Sequence, residues 1–578
     1  MLAMLIASAI PLYLVWSALC LFQNVQRARS TGLKVVISPI SARNPVWMIF
    51  QDLLIPILDK LGVDTESALK LTKRSWNFHD RYQMHQKYGK AFAHATPSEV
   101  EIYVADLASS DELLARKKDF VKPMDMVGII NIYGPTVAST DGPDWFRHRR
   151  ITATPFNERN NRIVWSESVK QTSQMLSYFT NKVGSVGSTA LGEDTMTLTL
   201  HILTSAGLGF SYDFRGALEN GKQENAEEEG HTLSYRNCLA AVLEDFIMMA
   251  LLPKKIWVLP WLPKKWQKFW MYKQELKSYM VEMVEKTRNE SSEHANLLSV
   301  LVRKNDEARQ LKEVDPDAGV KRGLSDDELY GNIFIYSFAG HETTAHAVCY
   351  AMYFLAAYPE VQDWVSDEAK DVFKDVQTPE ALSYEEVFPR LKRTLSVMVR
   401  KIPRQYVHQA TDLTKYETLR LFPPVLNIPK TTGSFPQDLK VDGKIATLPP
   451  YTIVFPNVVA LQSHPAYWGP DSLDWKPARW IESANDGEAE SIRTPTKGTF
   501  IPWGDGPRIC PGRKFSQVEF VAVIASMLWR HRIEVVPEQG EGFAEAKARI
   551  MEVMNDASEG VTLFMRNPEK VRVRVVER

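Results

Sequence analysis

The stretch Phe500-Ile-Pro-Trp503-Gly-Asp-Gly506-Pro-Arg508-Ile-Cys510-Pro-Gly512 sets one cysteine among three glycines and three prolines. A lone cysteine is most often a small buried hydrophobe, but these neighbours argue for another role. Gly506 and Pro507 predict a tight turn, which lets the backbone bring a sulfur and its surrounding N–H groups against a flat ligand. Gly512 allows the next helix a close approach to that ligand. The helix is expected from Ser516 to Trp529, with Val518, Val521, Ile524 and Leu528 forming an apolar face. Cys510 therefore precedes a helix N-terminus, whose positive dipole end, like a bound iron, favours thiolate over thiol. Both influences matter, because a thiol with a pKa of about 8.5 is mostly protonated at neutral pH.

Four other segments stand out. Ser325-Asp-Asp-Glu328 has the form of a capping box and predicts a helix running through Leu329, Ile333 and Phe334 to Ala339-Gly340-His341-Glu342-Thr343-Thr344 and on toward Tyr350. Gly340 inside that helix costs about 1 kcal/mol relative to alanine, which asks for a compensating reason. By itself Thr343 reads as a helical threonine bonded to its own backbone. Asp144-Trp145-Phe-Arg-His-Arg149 places Trp145 and Arg149 on one helical face, where they can address one carboxylate together; an ordinary amphipathic helix gives the same pattern. Glu417-Thr-Leu-Arg420 is an i to i+3 pair common on helix surfaces, and Trp475-Lys-Pro477-Ala-Arg479-Trp480 follows it.

Together these segments resemble the cytochrome P450 family. Its haem loop usually reads F-x-x-G-x-R-x-C-x-G; Gly506, Arg508, Cys510 and Gly512 match, with Trp503 in the Phe place as another bulky aromatic beside the sulfur. The resemblance implies that Cys510 is the axial iron ligand of haem b and that Arg508 pairs with a haem propionate. Thiolate ligation pushes electron density onto iron and favours O–O cleavage. Ala339 to Thr344 resembles A-G-x-[DE]-T-[TS], in which small residues leave room for O2 and the acid and threonine, here Glu342 and Thr343, deliver protons. Trp145 and Arg149 match the W-x-x-x-R helix, a propionate donor. Glu417 and Arg420 match E-x-x-R, with Arg479 completing a structural triad. Lys430 stands where the family often has arginine, and can neutralise a propionate only as a point charge.

The composition fits a globular protein with a sizeable core: 44% hydrophobic and 24% charged, with 69 basic against 70 acidic residues. Such a balance gives nucleic acid no field to follow. Cys20, Cys238, Cys349 and Cys510 are too few and too scattered for a disulfide scaffold or a paired-cysteine zinc site. Asn289-Glu290-Ser291 matches the glycosylation acceptor but is expected to be unused. Met1 to Phe22 has no charged side chain and is long enough to cross a bilayer core of about 30 Å. Arg27, Arg29 and Lys34 follow it, so residues after 27 are expected on the cytoplasmic side. A cleaved signal peptide is the alternative, but there is no charged n-region.

The expected organisation is an anchor over residues 1–24, a basic and proline-containing linker over 25–50, and a mainly α catalytic domain with minor sheets over 51–578. Short strands are expected near Val100 to Val104 and between Val561 and Val576. Lys304 to Lys321 reads as a charged surface loop. The segment Ile256 to Leu262, bracketed by lysine pairs, fits a dip into a membrane interface or a buried turn between helices. Family members run directly from a stretch like Leu391 to Met398 into Tyr416 to Arg420, whereas here Val399 to Lys415 intervenes. Without these 17 residues, Leu391, Leu395, Met398, Leu419 and Phe422 form one helical stripe. The segment has no such stripe, and Pro403 disfavours helix. Its 51 nucleotides are expected to be a retained intron, since Val399-Arg400 can be encoded GTxAG, Thr411-Asp412 can contain CTGAC and Lys415 can end in AG. A genuine surface loop is the alternative.

The resemblance further implies a monooxygenase of secondary metabolism that inserts one atom of O2 into a lipophilic small molecule. Electrons would come from a separate NADPH-dependent flavoprotein reductase, with a small haem protein as a second donor. The location implied is the endoplasmic reticulum membrane, single-pass, with the catalytic domain facing the cytoplasm. The substrate pocket would draw on Met124 to Val137, Tyr336, Ala339 and Val425 to Ile428. The rival readings are a haem-thiolate isomerase or dehydratase acting on peroxides, which often lacks the acid–threonine pair, and a non-catalytic haem or lipid binder.

Overall fold

The computed structural model describes residues 2–217, 230–244, 264–289, 296–314, 323–398, 417–482 and 491–578. Helices dominate and the sheets are small, as expected. Two compact units interleave along the sequence. The first comprises Met1–Pro123, Arg420–Asp474 and Pro495–Cys510; the second comprises Met124–Leu419, Trp475–Thr494 and Pro511–Arg578.

The first unit is built on a five-stranded sheet. In sheet order it runs β1 (Lys34–Ile37), β2 (Ala91–Ala95), β3 (Val100–Val104), β5 (Ile453–Pro456) and β4 (Lys430–Thr431). β1 lies parallel to β2 and β3 to β5, while the β2–β3 hairpin is antiparallel. Ala93, Ile102, Val104 and Val454 form its core together with Val25 and Ala28 from helix α1 (Leu2–Ser30). The Asn24 amide donates to the carbonyls of Thr96 and Pro97, and the Arg27 guanidinium to that of Pro450. Residues 25–50, read from the sequence as a basic and proline-containing linker, carry regular structure. They hold the last turn of α1, strand β1 and the start of a helix at Pro45, because Val25 and Ala28 bury against the sheet.

Farther up α1, Leu12, Leu14, Val15, Trp16, Leu19 and Phe22 are exposed. Among the described residues no helix is long and apolar enough to cross a membrane.

The second unit is helical and centres on five helices: α2 (Gly142–Thr152), α3 (Glu158–Tyr178), α4 (Leu191–Leu203), α5 (Asp326–Ala357) and α8 (Arg513–Arg530). α5 starts where Ser325 and Glu328 complete the capping box, with three acids in its first turn to complement the helix dipole. It is buried on nearly all sides from Ile333 to Phe338 and from Ala347 to Ala357, as an all-apolar central helix must be, and stops before Pro359. α8 starts earlier than expected and buries almost every residue from Gln517 to Leu528. A C-terminal hairpin pairs β6 (Ala557–Glu559) with β7 (Leu563–Met565).

The charged stretch expected to be a loop from Lys304 is helical as far as Val314. Ion pairs at helical spacing, such as Lys304–Glu307, solvate its polar face. The Ile256 to Leu262 segment, Glu290-Ser291 of the glycosylation pattern and Val399 to Lys415 lie outside the described residues. On either side of the last, helix α6 (Lys392–Met398) ends and helix α7 (Glu417–Leu421) begins.

Candidate active site

Cys510 closes a loop that only glycine permits. Its N–H donates to the Trp503 carbonyl at 2.9 Å, and Ile509 N to Gly506 O at 3.1 Å. Gly506 has φ +68°, and a Cβ there would stand 2.8 Å from the Leu114 carbonyl oxygen, so both conformation and space demand glycine. Cys510 itself is exposed, while Arg508 and Trp503 are half-buried. The loop is anchored by buried Ile501, which packs with Leu114, Val458 and Leu461. The Ile501 N–H donates to the Gln462 side chain at 3.0 Å, and the Gln462 amide donates in turn to the Arg420 carbonyl at 3.3 Å. Arg420, fully buried, sends its guanidinium to the carbonyls of Gln462 (2.9 Å) and Ser472 (2.5 Å). Lys430 is buried in β4.

In the second unit Gly512 caps α8 without a side-chain hydrogen bond to its first N–H groups. Nine residues past Cys510, Glu519 is wholly buried; burial pushes its pKa well up, offset only in part by the Thr344 hydroxyl. In the middle of α5, Ala339 is exposed and Gly340, Glu342, Thr343 and His346 are half-buried, although the flanking turns are buried. Thr343 and Ala339 share this open face, and the Thr343 hydroxyl donates to the Ala339 carbonyl at 2.9 Å. That is the backbone bond expected of any helical threonine.

Gly340 has a packing reason. A Cβ there would sit 2.9 Å from both methyls of Leu203 in α4, whose Thr199 hydroxyl donates to the His341 carbonyl at 3.1 Å. The glycine lets two helices cross closely. Burial pushes the Glu342 carboxyl up to about 7, and Thr562 is the polar group that counters it. One Glu342 oxygen is buried without a hydrogen-bond partner. The Thr562 hydroxyl also meets His346 Nδ1 at 3.3 Å, and burial lowers His346 to about 4, leaving it neutral. His341, to which the sequence assigned no role, is a satisfied core histidine with Nδ1 2.7 Å from the Ser337 carbonyl.

On α2, Trp145 is buried and Arg149 half-buried. Between them Arg147 and His148 turn to the first turn of α5. The Arg147 guanidinium makes two bonds to the Glu328 carboxylate (2.6 and 2.9 Å), and His148 Nε2 lies 3.1 Å from it. Although burial opposes it, these partners hold Glu328 well below the usual carboxylate range. Glu417 is fully buried and accepts from Arg479 Nε (2.8 Å), the Trp480 indole (2.9 Å) and Lys476 N (2.9 Å). The acid and arginine of the expected triad are thus together, and the described bonds of Arg420 run to backbone carbonyls.

Sequence reasoning missed Glu519 and Thr562, which fall in no local motif, and passed over Arg147 and His148 inside the segment Asp144 to Arg149, where Trp145 and Arg149 carried the reading.

Among the described residues no group of three His, Cys, Asp or Glu side chains could hold a metal ion. A single sulfur cannot hold a bare transition ion, which takes three or four protein ligands. It suits an iron whose equatorial bonds come from a macrocycle. Haem fits this donor set, and the exposed Cys510 on a glycine-bound loop fits an axial ligand. These features define a class: a mainly helical protein that presents one cysteine from a rigid turn ahead of a long buried helix.

The chain belongs to the cytochrome P450 family, whose model, described as "Cytochrome P450", matches residues 67–403 and 408–557. The break in that match falls inside Val399 to Lys415. A cytochrome P450 monooxygenase of Arthrobotrys oligospora is 28% identical over 96% of this chain and 95% of its own length. Cytochrome P450 monooxygenase 124 of Postia placenta is 30% identical over 80% of each chain. A phomenoic acid biosynthesis cluster cytochrome P450 monooxygenase of Leptosphaeria maculans is 25% identical over 95% of each. The protein is an enzyme of the cytochrome P450 monooxygenase class.

Proposed function

We propose that the chain hydroxylates, or otherwise oxygenates, a lipophilic small molecule, with haem b held through Cys510. The observation that supports this most is the exposed Cys510 on a loop fixed by Gly506, ahead of a long helix whose N-cap, Gly512, has no side chain to offer its first N–H groups. Haem supplies the redox chemistry by which one atom of O2 reaches the substrate and the other leaves as water. Cys510 binds as thiolate, favoured by the helix start that follows it. Arg508, Trp145, Arg149 and Lys430 are the donors for the haem carboxylates. Glu342, poised near neutrality, can hold a proton at its carboxyl and pass it on, and the Thr343 hydroxyl can relay it once released from the Ala339 carbonyl. The reduced, CO-bound absorption spectrum tests the assignment: a main band far to the red of histidine-ligated haem is expected, and Cys510→Ser should abolish it. Unchanged pigment and turnover in that variant would sink the proposal.

Electrons would come from a separate NADPH-dependent flavoprotein reductase, with a small haem protein as a second donor. The uncharged residues 1–22 and the exposed apolar surface of α1 support an N-terminal anchor in the endoplasmic reticulum membrane, with the catalytic part in the cytoplasm. Fractionation of the full chain, with and without residues 1–24, tests this. The cluster name of the Leptosphaeria relative supports a place in secondary metabolism.

We further infer that Val399 to Lys415 is a retained intron. α6 packs on the short turn Pro477–Trp480, and Glu417 at the start of α7 accepts from the Trp480 indole of that same turn. Sequencing of mature message decides it: uniform presence of the segment would overturn the inference. Removing the segment is expected to raise the haem content of purified protein, and an unchanged haem-to-protein ratio would count against this.

A further inference from the structure

In the first unit, β1 is followed by the helix Pro45–Lys60, which lies ahead of residue 67, where the cytochrome P450 match begins. Its only charged residues are Asp52, Asp59 and Lys60, and only Trp47 and Gln51 are buried. One side of the helix is tied down. The Trp47 indole donates to the Thr72 carbonyl at 2.9 Å, and the Gln51 side chain accepts from Arg74 N at 2.8 Å. Asp52 pairs with Arg74 at 3.3 Å, and Asp59 accepts from the Thr65 hydroxyl at 2.5 Å. These bonds fix which side faces out. That side carries Val46, Phe50, Leu53 and Ile57, all of them exposed, Leu53 at 63%. Spaced four, three and four residues apart, they fall within an arc of about 60°. Leu61 and Val63, just past the helix, are exposed as well. An apolar stripe held open by the fold asks for a surface to cover it.

We infer that the helix Pro45–Lys60 lies in the plane of a membrane, with this stripe sunk into the boundary between headgroups and acyl chains of a lipid bilayer. Its 16 residues span about 24 Å, short of the roughly 30 Å a crossing needs. Asp52 and Asp59 stand about 100° or more round the helix from the stripe, where an in-plane helix keeps them out of the lipid. Lys60 closes the stripe, and its stem can lie along the apolar surface with the ammonium among headgroups. Continuity selects lipid as the occupant. The Asn44 amide, at the start of this helix, donates to the Tyr13 hydroxyl of α1 at 3.3 Å, so the stripe adjoins the exposed apolar residues of α1 that run from Leu12 to Phe22. An anchor alone leaves the first unit free to swivel, and a second contact beside it sets the tilt. The inference extends the membrane location proposed above and stands on residues outside 1–24.

The test uses the full chain in phosphatidylcholine vesicles that contain a trace of phosphatidylcholine with a diazirine near the top of one acyl chain, the depth of an in-plane helix. After irradiation and trypsin, lipid adducts are mapped by mass spectrometry. Cleavage after Arg27, Arg43 and Lys60 puts α1 and the stripe in separate peptides, Met1–Arg27 and Asn44–Lys60. Ile533–Lys547, with its exposed Phe543, sets the background of a single apolar side chain. Label on Asn44–Lys60 is expected several-fold above that background. Leu53→Glu combined with Ile57→Glu should bring it down to background while Met1–Arg27 keeps its label; both side chains are exposed, so the far-ultraviolet dichroism should stay native. Background label on Asn44–Lys60 in the wild type, which a second copy or another protein on the stripe would also give, overturns the proposal, as does label that the double variant leaves unchanged. Label on Met1–Arg27 alone refutes this contact and keeps the anchor; label on Asn44–Lys60 alone keeps the contact and refutes the anchor.

Discussion

Glu417 offers the sharpest test of how the scaffold in the second unit is held. Its side chain is wholly inaccessible and that of Arg479 is 9% exposed, so water cannot replace what either loses. Glu417→Ala would remove the carboxylate to which the Arg479 guanidinium, the Trp480 indole N–H and the Lys476 amide all now donate. Breaking a buried ion pair by removing one partner costs about 3–5 kcal/mol. Each stranded neutral donor costs about 1–3 kcal/mol. Because the three share one acceptor, these are not additive, and the total expected is about 4–6 kcal/mol. Glu417→Gln keeps one acceptor oxygen but turns an NH2 toward a donor, so it should cost about 2–3 kcal/mol. The assay is urea unfolding followed by tryptophan fluorescence, with haem retention measured alongside. A loss below about 1 kcal/mol for alanine, or equal losses for the two variants, would refute the reasoning.

Other outcomes follow from single contacts. Gly331→Ala would place a Cβ 2.5 Å from the Gly134 carbonyl oxygen and 2.7 Å from that of Pro135; both are backbone, so a loss of about 1–3 kcal/mol is expected, with faster proteolysis near Gly134. Gly506→Ala meets a positive φ and the Leu114 carbonyl together, and should lose most bound haem while the far-ultraviolet dichroism stays intact. Burial raises Glu342 from 4.5 to about 7, so the folded chain binds more protons than the unfolded one between those values; its contribution is full below 4.5 and fades as pH climbs through 7. Glu342→Gln should flatten that part of the pH–stability curve and blunt the loss of turnover above pH 7, and an unchanged slope in urea midpoints would exclude the shift.

The parts of the fold legible in the sequence are those fixed by neighbours in the chain. Ser325 and Glu328 are three residues apart, and both bonds of the capping box formed. The turn before Cys510 follows from Gly506 and Pro507, and only the contact with Leu114 was hidden. The stretch from Lys304 misled because charged residues and a distant proline look like a loop, yet pairs such as Lys304–Glu307 make a solvated helix of it. Arg147 and Glu328 are 181 positions apart, and no local period marks such a pair.

Gly340 shows why a motif can be right while its physical reason stays out of reach. A small residue in that place is compatible with space for a ligand or with a close helix crossing, and the sequence of α5 alone cannot separate them. The position of Leu203, 137 residues upstream, decides that at least the second holds. The buried acids extend the same point. Glu342, Glu519 and Glu559 lie on three different elements, and hydrophobic patterning treats each as a surface residue. Burial nonetheless moves all three toward the neutral form. A fold gains nothing in stability from such groups. Where Glu342 on α5 and Glu519 beside its Thr344 meet one helix whose middle turn stays open, chemistry or recognition is the economical explanation for their persistence.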